Sequence, residues 1–519
     1  MKVASKQKKI QKPKNQVAEA PKVLKVEFER ASSNSLPESN KPIKILSHNE
    51  SEAYIELGSS EEWFFRRPCE LLIESGIGEI FIHDIRIDPK YYNNWLAVCS
   101  FQSFPSISLK TSSDSSFKVK LRSCAKSTRI FTNVASEKTT PIKDTLSRNV
   151  QSAFVDLDKY HQAAKKVLGK IQAEPGSSFN NVFVCGEKNM GKSSLSNFVL
   201  NYLMTSAQKA TINYIELDLG KPAFYIQGHV SIFRPAVPTF VNAPNSVAIV
   251  NTAETIAQYY IGENSPHYNF QAYLDAIKEA FTQLNSMASA GDTHYINVIN
   301  FHGYVKGFGK LLKFKAMDAV PVITYQLKIK KEGEIRCKLI SKSTKQLIDS
   351  VKLSSVNYFA HTPQLHQEIK QRFIFSYLTE NKNVQTVKLQ NVRFRIMSPN
   401  KVIEYYNDYD WDFLALTLLN SVISVRIKQS ETDQLDRLGL ILGFDEADNS
   451  VTVNIPFVPH SVVESALFIE LTTTTFHDFH IQKQLSLTKF DDPSSLPFCN
   501  IRMVGIGAKT LRRKTAKRK

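Results

Sequence analysis

Gly186, Glu187, Lys188, Asn189, Met190, Gly191, Lys192 and Ser193 spell G-x-x-x-x-G-K-[ST], the spacing of a loop that wraps backbone N–H groups around the phosphates of a nucleotide. In such a loop Lys192 neutralises the outer phosphates, and the Ser193 hydroxyl, with Ser194 beside it, stands where Mg²⁺ is held. Phosphoryl transfer also needs a group that orients or deprotonates the attacking hydroxyl. Asp218 closes the apolar segment 212–218, and the carboxyl end of a strand in an α/β sheet faces the phosphates. A carboxylate there can hold Mg²⁺ through water or take the proton of the nucleophile; the alternative is an Asp that only caps the following turn. Glu216, two residues earlier on the same side of the strand, is a second and weaker candidate.

The elements around the loop are the ones it requires. Val182–Cys185 is a short apolar run of strand type. After Lys192, apolar residues recur at Leu195, Phe198, Val199, Tyr202 and Leu203, the pattern of an amphipathic helix. A strand, a glycine loop and a helix N-terminus together make an anion-binding site. Helical periodicity over 145–172 leads into this region, and strands at 212–218, 247–250 and 295–299 alternate with a helix over 270–284. This pattern predicts a central doubly wound α/β domain with a parallel sheet, spanning 145–385. Short alternating runs separated by polar turns predict β-rich domains before it (45–140) and after it (386–505).

Composition fits a soluble globular protein of two or three domains, with 42% hydrophobic and 22% charged residues in 519. No apolar run has the length of a membrane span, and the basic N-terminus has no apolar stretch of signal-peptide type behind it. The six cysteines are scattered without a C-x-x-C pair, the usage of a reduced intracellular chain without a zinc site. The net charge of +17 is concentrated at the ends: residues 1–25 and 509–519 each carry +7, leaving only +3 for the body. The body is therefore not a broadly basic nucleic-acid binder. The tails (1–44 with its linker, and 506–519) read as disordered segments suited to nuclear import and RNA phosphate contact, or simply to solubility.

Several pieces match one family in order. Residues 214–222 (YIELDLGKP) resemble the DxDxGQxx strand and loop of the polynucleotide 5′-hydroxyl kinases, the superfamily of the nucleolar pre-rRNA kinase and the kinase of the pre-mRNA 3′-cleavage complex. Residues 261–266 resemble its G-x-x-SP segment and residues 300–307 its NTxGWxxG segment. The stretch from Gly439 through Gly443 and Asp445 to Pro456 resembles its late glycine-rich hairpin. The likeness covers about 175–460.

The resemblance implies ATP seated on 186–194 with Mg²⁺ near Ser193, and Asp218 as general base for an RNA 5′-hydroxyl. It also implies a helical lid: residues 365–378 resemble that lid, with Arg372, or Lys370, clamping the transferring phosphoryl group. Lys221 replaces the family glutamine, and Phe301 and Tyr304 replace the threonine and tryptophan of NTxGW. The threonine hydroxyl is a lost phosphate contact; Tyr304 still offers a ring to an RNA base, and Lys221 or Lys306 an anion contact. The implied function is an ATP-dependent kinase of RNA 5′-hydroxyl ends in the nucleus and nucleolus. It would act on pre-rRNA during large ribosomal subunit maturation, with an endoribonuclease partner and no membrane. A catalytically weak ATP-binding scaffold for such an endonuclease complex is the alternative. A GTPase is a third class, without an Asn-Lys-x-Asp base-reading motif on a suitable strand to support it.

Overall fold

A computed structural model of the chain describes, with gaps in the loops, residues 44–123, 146–147, 157–352, 385–405, 422–428, 434–455 and 466–471. All of them lie in one compact unit, Ile43–Lys519. Ten short strands come first: β1 (Lys44–His48), β2 (Glu52–Leu57), β3 (Glu62–Phe65), β4 (Cys69–Ser75), β5 (Gly78–Ile82), β6 (Ile85–Arg86), β7 (Leu96–Val98), β8 (Ile107–Thr111), β9 (Phe117–Ser123) and β10 (Leu146–Ser147). They make two antiparallel sheets, ordered β1-β2-β9-β4-β7 and β10-β3-β8-β5-β6. In β2 the alternation buries Ala53, Ile55 and Leu57 and leaves Glu52, Tyr54 and Glu56 partly exposed, as a sheet with one covered face requires.

The central elements are α1 (Leu157–Ala173), β11 (Phe179–Gly186), α2 (Lys192–Ser206), β12 (Ala210–Glu216), β13 (His229–Pro235), β14 (Ala253–Tyr260), α3 (Phe270–Ser289), β15 (His294–Asn300), α4 (Phe308–Ala319), β16 (Thr324–Ile329), β17 (Glu334–Ile340) and β18 (Lys345–Lys352). The periodicity over 145–172 condenses into α1, which starts only at Leu157; Leu146 and Ser147 pair with β3 instead. The strand expected at 247–250 and the lid segment 365–378 lie outside the described residues.

Four neighbours, β16-β11-β15-β12, are parallel. The expected parallel sheet is corrected on both sides of this core, where β17 and β18 run antiparallel beside β16, and β13 and β14 antiparallel beside β12. Beside β16 the reason is the length of the connections. Residues 330–333 and 341–344 leave no room for a crossover helix, so the chain must turn back. Between β12 and β13 the Gly228 N–H donates to the Leu219 carbonyl at 2.8 Å, closing the reversal. The sheet continues through C-terminal strands: β14 meets β23 (Gln434–Asp445) at the pair Gln258–Leu435. Beyond it lie β22 (Val422–Lys428), β25 (Ala466–Leu471), β20 (Arg393–Ser398) and β21 (Lys401–Tyr405). Strand β24 (Ser450–Ile455) pairs with both β23 and β19 (Gln385–Gln390).

Helices cover the parallel core on both faces, and β11 is accordingly buried along its whole length. Val182 and Val184 pack with Phe198 and Leu203 of α2, whereas Phe183 and Cys185 face Tyr273 and Phe281 of α3 and Leu312 of α4. Full burial of a side chain such as Phe183 contributes about 1.5–3 kcal/mol. A row of polar groups crosses the core in register. Asn297 Nδ2 donates to Asn181 Oδ1 (2.8 Å), Asn213 Nδ2 donates to Asn297 Oδ1 (2.9 Å), and Arg234 joins Asn213 (3.2 Å) to Glu254 (2.9 Å). These groups lie opposite one another on β11, β15, β12, β13 and β14. A one-residue slip would turn them to the other face and break the row, so they pin the strands that carry the site.

Candidate phosphoryl-transfer site

The ends of three parallel strands define the site. Val184 of β11, Asn300 of β15 and Glu216 of β12 lie side by side. The chain leaves this row held by two further bonds: the Phe301 N–H donates to the Val184 carbonyl (3.0 Å) and the Leu217 N–H to the Asn300 carbonyl (2.9 Å). The glycine loop then passes from Gly186 to the first turn of α2, which Gly191 enters at φ 78° and ψ 21°. That left-handed conformation is why a residue without Cβ is needed there. On its other side the loop is met by Gly303, where a Cβ would come within 2.8 Å of the Lys188 side chain and 3.0 Å of its backbone.

Lys192 is buried at the base of the loop, only 7% exposed, with Nζ donating to the Glu187 carbonyl at 3.0 Å. Burial pulls its ammonium below the ordinary lysine range, and the carboxylates of Asp218 and Glu216 act in the opposite sense. Both acids are therefore within electrostatic reach of the glycine-loop lysine. Ser193 and Ser194 are half-buried, Glu187 is half-buried, Met190 is buried and Lys188 is exposed.

Asn300 is the hub that joins these pieces. Its Nδ2 lies 3.0 and 3.2 Å from the two oxygens of the buried Glu216 carboxylate and 3.5 Å from Ser193 Oγ. Its Oδ1 is 3.3 Å from Ser196 Oγ, which also lies 3.0 Å from the Lys192 carbonyl. Glu216 Oε1 in turn accepts the Asp218 N–H at 2.9 Å. Strand β12 ends at Glu216, so Asp218 sits two residues beyond it, half-buried, on a turn that its own Oδ1 caps by accepting the Gly220 N–H at 3.1 Å. The carboxylate caps a turn, and that turn holds it near Lys192.

His302 follows Asn300 by two residues and is 3% exposed. Its ring packs on Phe301, with centroids 3.9 Å apart, and lies 6.1 Å from that of Tyr273. Tyr273 donates its hydroxyl to the Leu217 carbonyl at 2.9 Å, bracing the chain just before Asp218. Burial drives His302 down to about 4, against the upward pull of Asp218, so the imidazole is neutral at physiological pH. Phe301 is fully buried against Phe183, 5.0 Å between centroids, and belongs to the apolar core rather than to the phosphate surface.

The structure thus brings together Gly186, Gly191, Lys192, Ser193 and Asp218. Asn189, Lys221, Tyr304, Lys306, Lys370 and Arg372 lie outside the described residues. Asn300, Ser196, His302 and Tyr273 were not singled out from sequence as site residues. Only Asn300 and His302 had a signal, their place in the NTxGW-like segment.

Comparison with known proteins agrees with this geometry. Residues 186–380 match the family described as mRNA cleavage and polyadenylation factor CLP1 P-loop. This segment is therefore similar to that P-loop family. Its relatives are named polynucleotide 5′-hydroxyl kinases. The chain is 31% identical over 132 residues to GRC3 of Debaryomyces hansenii, covering 25% of this chain and 18% of that protein. It is 26% identical over 170 residues to NOL9 of Bos taurus, covering 33% of this chain and 21% of that one. The matched stretches thus span about a fifth of the relatives' length. The fold is similar to a chain in the structure of a wild-type Clp1p–Pcf11p complex, with TM-score 0.51 and 11% identity over 83% of this chain and 99% of that one. Asn300, Gly303 and the loop around Lys192 all fall inside the CLP1-type segment.

Proposed function

We propose that this protein is an ATP-dependent polynucleotide 5′-hydroxyl kinase that transfers the γ-phosphate of ATP to RNA 5′-hydroxyl ends. The observation that carries the reading is the joint placement of Lys192 at the start of α2 and Asp218 just past β12, coupled electrostatically and tied through Glu216 and Asn300. In this reading residues 186–194 cradle the phosphates and Lys192 neutralises the outer ones. Asp218 accepts the proton of the 5′-hydroxyl as its oxygen attacks the γ-phosphorus, and the bond from that phosphorus to the ADP oxygen breaks. The oxygen donors Ser193 and Asp218 suit a hard divalent cation such as Mg²⁺, which takes one or two carboxylates together with phosphate and water. Among the described residues no group of three or more His, Cys, Asp or Glu is gathered for a metal, and a site of that kind does not need one. When bound, Mg²⁺ would supply neutralisation of phosphate charge.

Arg372 on the lid-like segment, or Lys370, would clamp the transferring group, and Tyr304, Lys306 and Lys221 would hold the RNA. β-rich domains at 45–140 and 386–505 would flank the P-loop domain. The two basic tails suit a nuclear or nucleolar protein, and within this reading the substrate would be pre-rRNA during ribosome maturation, with an endoribonuclease partner. The test is transfer of label from γ-labelled ATP to a 5′-hydroxyl oligoribonucleotide. Label transfer is expected, with Asp218→Asn slower by about 100-fold or more. Absence of transfer, together with Lys192→Ala behaving as wild type, would overturn the reading.

One observation favours a scaffold as the second reading: position 301 gives the phosphates no hydroxyl, its side chain being buried in the core. A scaffold predicts that Asp218→Asn leaves partner assembly and RNA processing intact while Gly191→Asp disrupts both.

A further inference from the structure

The outer face of α4 has no role in the site described above, and its composition is unusual for a solvated helix. Leu312 and Ala316 turn into the core. The opposite face carries Leu311 (54% exposed) and Phe314 (39% exposed) between Lys310 and Lys315, with Asp318 as its one acid, while Lys313 lies at its edge with Nζ turned to the buried Cys185. Phe270, at the first turn of α3, is 45% exposed and meets Phe308 edge-on at 5.5 Å, as does His267. Phe270 and Phe308 are thus in contact, and Leu311 and Phe314 follow along α4 at three-residue spacing. Two of the ammonium groups flank the last ring, Lys310 Nζ at 6.0 Å and Lys313 Nζ at 5.8 Å from its centroid.

Two features decide what such a face fits. An exposed ring flanked by cations matches a nucleotide, whose base stacks and whose phosphate pairs with charge. A protein partner of hydrophobic type would leave the exposed Lys310 and Lys315 around one patch to be desolvated. The strip also adjoins the phosphate site. Helix α4 begins five residues after Gly303, which touches the glycine loop, and Lys313 Nζ reaches Cys185 Sγ, the residue before that loop, at 3.9 Å.

We infer that this α3–α4 strip is a track for single-stranded polynucleotide, taking the nucleotides that follow the accepting 5′ end. The inference rests on the kinase reading for its direction along the strand, and it names the part of the substrate that reading leaves unplaced. Bases stack on Phe314 and Phe270, and Lys310 and Lys315 pair with the phosphates between them.

The experiment measures equilibrium binding of 3′-labelled, 5′-hydroxyl single-stranded RNA to the full chain by fluorescence anisotropy, with a dinucleotide and a dodecanucleotide compared across salt. Phe314→Ser is expected to weaken the dodecanucleotide about fivefold or more, one lost stack, and to leave the dinucleotide and ATP affinities unchanged. Phe314→Tyr keeps the ring and should restore binding. The double change Lys310→Gln and Lys315→Gln should flatten the log–log salt dependence by about 1.4, a readout that misfolding alone would not give. Dodecanucleotide affinity and salt slope equal to wild type in both variants would overturn the track even if phosphoryl transfer is observed. Loss of length-dependent binding in a chain that transfers no phosphate would sustain the track and remove the kinase reading instead. Unchanged RNA binding with self-association abolished by Phe314→Ser would make the strip an interface between copies and refute the proposal.

Discussion

His302 makes the acid sensitivity of this fold a quantitative matter. Its side chain is enclosed by Phe301 and Tyr273 and held at about 4, whereas an imidazole in the unfolded chain titrates at 6.5. A folded value below the unfolded one means that, between those two pH values, the unfolded chain binds the proton and the folded chain does not. Stability from this group is therefore fully present above pH 6.5 and drains away as pH falls towards 4. At about 1.36 kcal/mol per unit, the gap amounts to roughly 3 kcal/mol, a large share of a typical domain's stability. Carboxylates elsewhere also titrate in this window, so the relevant quantity is a difference. His302→Gln keeps a polar group of similar reach but cannot take the proton. Urea unfolding of both proteins at pH 7 and pH 4.5 should show the wild type losing about 2–3 kcal/mol more than the variant. Histidine-selective ¹³C NMR gives a direct check, the resonance missing from the variant having its inflection near 4. Equal acid losses in the two proteins, or an inflection above 6, would refute the argument that burial keeps this ring neutral.

Three further outcomes follow from the same geometry. Asn300→Ala removes the amide that faces both Glu216 oxygens in a buried site, so thermal unfolding should report a loss of about 2–3 kcal/mol. Asn300→Asp should do worse, because it sets a second carboxylate against the first. Gly191→Ala forces a side chain into a left-handed conformation, at about 1–2 kcal/mol in stability, and calorimetric titration should show weakened ATP binding as the loop relaxes. Phe301→Ala opens a cavity beside Phe183 and should lower stability by about 3–5 kcal/mol while leaving the ATP affinity of the remaining folded protein near wild type. A large change in affinity there would mean that position 301 serves the phosphates after all.

What could be read from the sequence was local. The strand, glycine loop and helix around Lys192 are specified within about 25 consecutive residues, each by its own periodicity and turn chemistry, and all three stand where expected. Asp218 was legible for the same reason, because a carboxylate after an apolar strand has few other places to be. Strand direction was not legible. A buried run such as His229–Pro235 looks the same whether its neighbour is parallel or antiparallel, and only the reversal closed by Gly228 and Leu219 decides it. Long-range side-chain rows were equally invisible. Asn213 and Asn297 are 84 residues apart, and Asn297 and Asn181 116 apart. In sequence each is only a polar break in an apolar strand.

The same logic explains why Asn300 was passed over. Its chemistry depends on three partners from two segments, Glu216 of β12 and Ser193 and Ser196 of α2, none of which marks it out in the sequence. A buried carboxylate such as Glu216 would ordinarily be a liability, since charge taken out of water must be matched by polar contacts. Here the Asn300 amide and the Asp218 N–H supply those contacts, and in doing so they fix the turn on which Asp218 stands. Glu216 is thus better understood as the anchor of the site than as a rival to Asp218. Its two oxygens are turned to protein donors, whereas the more exposed Asp218 has one oxygen given to its own turn and a position near Lys192. Under the kinase reading, a site that must place one carboxylate against one phosphoryl group gains more from a second acid that holds the geometry than from a second acid that competes for the proton.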